Sequence, residues 1–96
     1  MDKYNMITDK HEDVAKICKA LSHPARVLIL EYLKEIDTCI CGDIVKILPL
    51  SQSTVSQHLK QLKDAGLIRG DIEGTKTCYC IDKMVLKDFK EVIESI

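Results

Sequence analysis

The sequence lacks the features that mark several large classes of protein. It has no tryptophan and one phenylalanine, and none of its apolar runs approaches the length of a bilayer span. Its first residues lack the apolar segment of a secretion signal. Its formal net charge of −1 is unlike that of a sequence-blind polyanion binder. There is no grouped Ser, His and Asp pattern of a hydrolase, so we expect a cytoplasmic protein that neither enters a membrane nor acts as an enzyme.

The apolar residues that are present follow two successive periods. A spacing of 3.6 residues dominates up to Gly66, and a spacing of two follows it until the last helix begins. We expect one domain over residues 1–96, mainly α with a small β-hairpin wing. This order predicts a winged helix-turn-helix of five helices plus two to three short strands. The helices are predicted at about residues 10–21, 24–34, 42–48, 51–65 and 83–96, and the strands at 38–41, 67–72 and 76–81.

Capping and breaking residues predict where several elements begin and end. Ser22 is expected to cap the second helix, with Pro24 near its first helical position. Ser51 can cap the fourth predicted helix, and Gly66 can close it. Asp82 is expected to cap the last helix. The short link between the third and fourth helices predicts a helix-turn-helix, in which the fourth is the recognition helix.

The predicted recognition helix has one apolar stripe and one face of hydrogen-bond donors. Val55, Leu59 and Leu62 form the stripe. Gln side chains can bond the edge of adenine in a bidentate way, and hydroxyls suit base edges or phosphates. Basic side chains on this helix and on the wing are expected to bind phosphate. The predicted DNA-binding residues are Ser51, Gln52, Ser53, Thr54, Ser56, Gln57, Lys60, Lys63, Arg69 and Lys76.

Two Cys-x-Cys pairs, Cys39/Cys41 and Cys78/Cys80, are the unusual chemical feature of the sequence. Residues at i and i+2 share one face of a strand. If the segment before the third helix pairs with the returning wing strand, all four sulfurs share one face of the sheet, and Ile40, Tyr79 and Ile81 face the core. Four thiolates form a soft-metal site for zinc, cadmium, copper(I) or trivalent arsenic as arsenite. The alternatives are space-filling thiols and a cross-strand disulfide, either Cys39–Cys80 or Cys41–Cys78.

The remaining cysteine and the histidines carry weaker signals. Cys18 lies on the apolar stripe of the first helix and is expected in the core. His58 lies beside Leu59 in the recognition helix, so it is either half-buried or in the groove. His11 could add a metal ligand, whereas His23 is more simply a helix-start residue.

The first and last predicted helices have apolar stripes that a small core does not fully cover. Exposed apolar surface of this kind usually marks a partner, and two-fold dimers are the commonest oligomers. We therefore expect a homodimer through residues 10–21 and 83–96. The alternative is that both helices only complete the core.

Several motifs resemble those of the ArsR/SmtB family of small bacterial repressors. They are residues 21–26 entering the second helix, 39–43 entering the third, 50–60 in the recognition helix and 63–68 before the wing. The resemblance implies a homodimer that binds double-stranded operator DNA through the recognition helix. It also implies derepression by an inducer, often a thiophilic metal ion or arsenite, with Cys39 and Cys41 as a sensor pair.

The sequence favours a transcriptional repressor that a thiophilic metal or metalloid releases from DNA. A second interpretation keeps the repressor but has the same thiols respond to oxidants or sulfur species. A third, of another class, is a metal-carrying or thiol-redox protein that does not bind DNA. DNA binding, tested with and without soft metals, separates the three.

Overall fold

The computed structural model describes residues 6–37, 39–41, 50–73 and 76–96, with backbone alone for residues 41, 71–73 and 76. The described part contains four helices and three strands, none of these helices being long and apolar enough to cross a bilayer. The predicted helix at 42–48 lies outside the described residues, as does Gly74 of the predicted hairpin turn. In chain order the elements are α1 Asp9–Ala20, α2 Pro24–Ile36, β1 Ile40–Cys41, α3 Gln52–Asp64, β2 Ile68–Glu73, β3 Lys76–Ile81 and α4 Lys83–Ser95.

Side chains satisfy the free N–H groups at the starts of α1 and α2. Thr8 and His11 form a capping box at the start of α1. At α2 the prediction that Ser22 is the cap is wrong, because His23 takes that role and its Nδ1 accepts from the Ala25 N–H at 3.1 Å. The Ser22 hydroxyl instead donates to the Lys19 carbonyl at the end of α1. Ser22 therefore closes the preceding helix.

Both ends of α3 follow the sequence signals. The Ser51 hydroxyl accepts from the Thr54 N–H at 3.3 Å. At the other end Gly66 has a φ of 85°, which an L side chain rarely adopts. The N–H groups of Gly66 and Leu67 donate to the carbonyls of Lys63 and Leu62, a Schellman closure. The chain thus turns sharply from the recognition helix into the wing.

The core lies where α1, α2 and α3 meet the sheet. Ile29 and Leu33 from α2 and Val55 and Leu62 from α3 are fully buried, as is Leu67 at the start of the wing. Burial of one such side chain stabilises the fold by about 1.5–3 kcal/mol. The predicted stripe of the recognition helix is therefore confirmed as core.

The three strands form an antiparallel sheet in the order β1-β3-β2. Ile40 lies opposite Tyr79 and Cys41 opposite Cys78, which confirms the expected pairing of the short strand with the returning wing strand. On the wing side, Arg69 lies opposite Cys80. Ile40 and Tyr79 pack against the core, as the alternation predicted.

The last helix, α4, begins at the predicted cap, where an Asp82 carboxylate oxygen accepts from the Val85 N–H at 3.1 Å. Leu86 is its buried residue. On α1 the expectation that Cys18 is in the core is wrong. Ile17 takes the inward position and Cys18, one residue further around the helix, is exposed.

Candidate DNA-binding face and cysteine site

The donor-bearing face of α3 lies in solvent, opposite its buried stripe. Thr54 is half-buried, and the side chain of Lys76 lies outside the described residues. No acidic side chain occurs on α3 before Asp64. The helix therefore presents neutral and basic donors to a partner. The exposed predicted residues are Ser51, Gln52, Ser53, Ser56, Gln57, Lys60, Lys63 and Arg69.

Three hydroxyl groups cluster at the N-terminus of α3. The Ser51 Oγ lies 2.9 Å from the Thr54 Oγ1 and 3.1 Å from the Ser53 Oγ. A helix N-terminus also has free backbone N–H groups and a partial positive charge. Such an end, edged by hydroxyls, suits a phosphate oxygen.

A groove separates α3 from β3 and brings together residues that sequence analysis did not group. Thr77 and Tyr79 on β3 face Ser56 and Lys60 on α3 across it. Sequence reasoning assigned Tyr79 to the core only. The signal it missed is Gly70, directly opposite Tyr79, which leaves room above the strand.

Lys63 occupies the room that Gly70 leaves. A Cβ built at Gly70 would lie 3.5 Å from the Lys63 Nζ and 3.4 Å from the Tyr79 ring. The lysine therefore bridges the recognition helix and the wing, and its ammonium lies at the junction of the two surfaces expected to contact DNA.

His58 lies on the inner side of α3, where its surroundings favour the neutral imidazole. Its ring lies 4.5 Å from that of His23, centroid to centroid, and 9% of its surface is exposed. Burial, followed by the nearby charges of His23 and Arg26, lowers the pKa of His58 below its ordinary value of 6.5. Of the two expectations for His58, burial is the one confirmed, and the groove is excluded.

The cysteines of the two pairs come together as the strand register predicts. Cys39 and Cys80 are joined by a disulfide, with their Cα atoms 4.3 Å apart. Cys78 is also disulfide-bonded, and the backbone of Cys41 lies opposite it. The sequence favoured reduced thiolates, whereas this structure has the oxidised form. The antiparallel register holds the paired Cα atoms within disulfide reach, so the cross-strand disulfide expected as an alternative is the form present.

The same placement bears on whether these residues fit a metal. Reduction of the disulfide would leave the Cys39 and Cys80 sulfurs side by side, with Cys78 two residues along β3. Soft ions prefer thiolate ligands, so the donor set fits such an ion once reduced. Among the described residues, no group of three or more Cys, His, Asp or Glu side chains is placed to hold an ion.

An open apolar groove runs between α1 and α4. Val14 and Ile17 line it from α1, and Val85, Phe89 and Val92 line it from α4. Ile93 is exposed beyond it. The groove lies on the two helices expected to dimerise.

The sequence is similar to known transcriptional regulators over most of its length. Residues 23–69 match the family described as "Bacterial regulatory protein, arsR family". A helix-turn-helix-type transcriptional regulator of Methanocaldococcus jannaschii is 35% identical, and the alignment covers 92% of this chain and 99% of that protein. A homologue of the cadmium resistance transcriptional regulatory protein CadC from Staphylococcus aureus is 39% identical, and the alignment covers 82% of this chain and 65% of that protein.

Solved structures have the same architecture. A homodimeric winged helix-turn-helix DNA-binding domain from Mycobacterium bovis, a possible ArsR-family regulator, superposes with a TM-score of 0.72 and 27% identity. The match covers 93% of this chain and 86% of that one. The winged helix-turn-helix architecture predicted from the sequence is therefore confirmed.

Proposed function

Because this chain belongs to the arsR family of bacterial regulatory proteins, whose members are DNA-binding transcriptional regulators and not enzymes, we propose that it is a homodimeric repressor released from its operator by a thiophilic metal or metalloid. The observation that carries the DNA part is α3, whose apolar stripe is buried while its donors lie in solvent. A helix of this kind enters the major groove with its N-terminal residues nearest the bases.

In this proposal Gln52 and Gln57 bond base edges, and the hydroxyls of Ser51 and Ser53 bind the backbone or bases. Lys63, Arg69 and Lys76 bind phosphate and add affinity without sequence information. The basic side chains of α3 and the wing supply the attraction that the net charge of −1 does not, although acidic residues at 64, 71 and 73 lie in the same stretch. The groove between α3 and β3 admits the DNA backbone beside Lys63.

Operator binding tests the assignment of α3. We expect Gln57→Ala to weaken binding by about 1–3 kcal/mol and to relax specificity at one position. Ser56→Ala should also weaken it. The measurement is a fluorescence-anisotropy titration with operator fragments, with circular dichroism to check the fold.

Gln61→Ala is the matched control, because Gln61 is an exposed glutamine of the same helix one turn nearer its C-terminus. It should bind as the parent does. Equal binding by the Gln57→Ala and parent proteins would remove α3 as the recognition helix. No binding to any operator fragment by the parent protein would favour the metal-carrying or thiol-redox interpretation.

The proposed ligands for the inducing ion are the thiolates of Cys39, Cys41, Cys78 and Cys80. A bound soft ion would supply a cross-link between the wing and the strand that precedes the helix-turn-helix. The support for this proposal is the strand register, which brings the two pairs together. One relative is named as a homologue of a cadmium resistance transcriptional regulatory protein.

Metal titration of the reduced protein tests the ligand set. Zinc-, cadmium- or arsenite-loaded thiolates are expected to give ultraviolet charge-transfer absorption that falls when Cys39 or Cys80 becomes Ser. Operator affinity should fall on loading the parent protein. Cys18→Ser is the control, because that thiol is exposed on α1. Absorption that is unchanged by Cys39→Ser and by Cys80→Ser would rule out the four-cysteine site.

A second candidate is a repressor that responds to the oxidation state of the same sulfurs. The disulfide between Cys39 and Cys80 favours it. In this case operator affinity differs between the oxidised and reduced proteins with chelator present throughout. An effect of metal alone, with equal affinity in the two redox states, would reject this candidate.

A further inference from the structure

A small cleft lies at the base of the wing, directly beside the Cys39–Cys80 disulfide. Both cysteines line it, and β2, the end of α2 and the start of α4 supply charged walls. It is separate from the groove between α3 and β3. The lining residues that matter here are Asp37, Cys39, Arg69, Cys80, Asp82 and Lys83.

The two sulfur-bearing residues differ in accessibility. Cys80 is buried, with 7% of its surface exposed, whereas Cys39 is exposed. Thiol–disulfide exchange requires an attacking thiolate in line with one sulfur. An attacking group from solvent therefore reaches the Cys39 Sγ first, and the buried Cys80 Sγ is the leaving group.

Some of the charged side chains around the cleft have partners within the protein, and one does not have an ion-pair partner among the described residues. Lys83 and Asp37 form an ion pair, and Asp82 caps α4 through the Val85 N–H. Arg69 makes no ion pair with any part of the chain that the structure describes, and it lies opposite Cys80 in the β2–β3 register. Its guanidinium is therefore the cation available to an incoming anion and to a thiolate formed at Cys80.

We propose that this cleft is the entry site for an anionic low-molecular-weight thiol, which reduces the Cys39–Cys80 bond by attack on Cys39. Arg69 attracts the anion and stabilises the Cys80 thiolate as it leaves. The consequence for DNA rests on the proposed function, since Arg69 is also a proposed phosphate contact. The thiol-exchange step itself is independent of DNA.

The reaction balances with two equivalents of the thiolate. The first forms a bond to the Cys39 Sγ, the Cys39–Cys80 bond breaks, and its electron pair goes to the Cys80 Sγ. The second attacks the external sulfur of this mixed disulfide and releases the Cys39 thiolate. The small thiol is oxidised to its disulfide, and the protein gains two electrons.

Stopped-flow reduction of the oxidised protein, without DNA, tests the site with two probes. Mercaptoethanesulfonate is the anionic thiol and mercaptoethylamine the cationic one. Each rate constant is calculated from the concentration of the thiolate form. It is then divided by the rate constant of the same thiol with hydroxyethyl disulfide, which serves as a neutral reference. We expect the anion to be favoured roughly tenfold at low ionic strength, and added salt to diminish the preference.

Variants at position 69 test whether Arg69 causes the rate advantage of the anionic thiol. Arg69→Gln should abolish this advantage and Arg69→Lys should keep most of it. Lys34→Gln is the control, because Lys34 is an exposed cation that does not line the cleft. Tandem mass spectrometry of acid-quenched samples should find the mixed disulfide on Cys39. Equal preference in the parent and Arg69→Gln proteins, or a mixed disulfide on Cys80, would overturn the proposal.

This outcome is separable from that of the proposed function. If operator binding responds to metal or to reduction but the anionic probe has no advantage, the cleft assignment fails and the repressor stands. If the probe preference depends on Arg69 but operator binding ignores both metal and reduction, the cleft stands and the proposed control of DNA binding fails.

Discussion

His58 shows how one residue position depends on what its helix packs against. By sequence it is a polar residue beside Leu59 in a helix with a donor-rich face. In the structure α2 approaches α3 so closely that the His58 and His23 rings are in contact, with their planes inclined by 51°. Arg26 from α2 adds a positive charge nearby. His58 is therefore part of the support beneath the recognition helix.

The stability of the protein should fall as the pH falls below about 6.5, because burial lowers the pKa of folded His58 below that value. In the pH interval between the two pKa values the unfolded chain binds more protons than the native protein. The free energy of unfolding therefore rises with pH in that interval. Above the interval the stabilising contribution of neutral His58 is complete. Urea denaturation at several pH values measures this slope.

His58→Gln should flatten that part of the slope. His11→Gln should retain it, because Gln can still accept from the Thr8 N–H in the capping box of α1. An unaltered slope in the His58→Gln protein would show that another group controls stability in this range. Two histidines face one another here, so His23→Asn, whose side chain can still cap α2, would separate their mutual effect from that of burial.

The oxidation state of the cysteines is a residue-scale property that sequence alone leaves open. The alternation of Cys with Ile40 and Tyr79 placed the sulfurs on one side of the sheet. Metal ligation and disulfide formation need the same closeness, so spacing does not choose between them. The structure has the disulfide, and the titrations above test the metal.

At the scale of elements, α3 has the best-specified ends in the chain. Ser51 begins it with a side-chain cap and Gly66 ends it with a left-handed residue. The closure at Gly66 sets the direction in which the chain enters the wing, with the Asp82 N–H bonded to the Leu67 carbonyl at 2.8 Å. The angle between recognition helix and wing depends on this link.

Gly66→Ala should destabilise the protein by roughly 1–2 kcal/mol, because an L side chain at this φ meets its own backbone. Space is not the cause, since the nearest atom to a Cβ there is a Val85 methyl at 4.0 Å. Thermal or urea unfolding measures the loss.

Gly66→Asn is the matched comparison, because Asn tolerates the left-handed region better than Ala. It should lose clearly less stability. Equal losses for the two variants would mean that the side chain clashes and that the backbone conformation is not the cause.

At the scale of the whole molecule, the α1–α4 groove has apolar walls that one chain leaves open. Val92 and Phe89 are half-buried in it, whereas Ile93 is exposed beside it. The Mycobacterium bovis domain of the same architecture is a homodimer. We propose that a second copy covers this groove, through residues 10–21 and 83–96, and so sets two recognition helices about 34–36 Å apart, one turn of DNA.

Val92→Asp should weaken the dimer by roughly 3 kcal/mol, because it places an unpaired carboxylate in the covered groove. Operator binding should weaken with it, since one subunit reaches only one half-site. Sedimentation velocity over a range of concentrations measures the dimer, and anisotropy measures DNA binding.

Met84→Asp is the control on the same helix, because Met84 is exposed and does not line the groove. A dimer that survives Val92→Asp but dissociates with Met84→Asp would place the interface on another face of α4.

The sequence by itself determined the order of the helices and strands that the structure describes, the apolar stripe of α3, and most of the element boundaries. These follow from apolar period and from Ser51, Gly66 and Asp82, whose effects act within a few residues. The pairing of β1 with β3 was also predictable, because alternation and topology agreed. The family motifs then indicated DNA binding, which local patterns alone did not establish.

Only the tertiary structure decided what depends on contacts between distant residues. His23 lies against His58, Cys18 is exposed to solvent, and Lys63 lies over Gly70 beside Tyr79. The Cys39–Cys80 bond spans 41 residues of sequence and has Arg69 of a third strand beside it. Residues from several helices and strands together determine the burial and the electrostatic environment of such sites. The residue pattern within one helix or strand therefore cannot predict them.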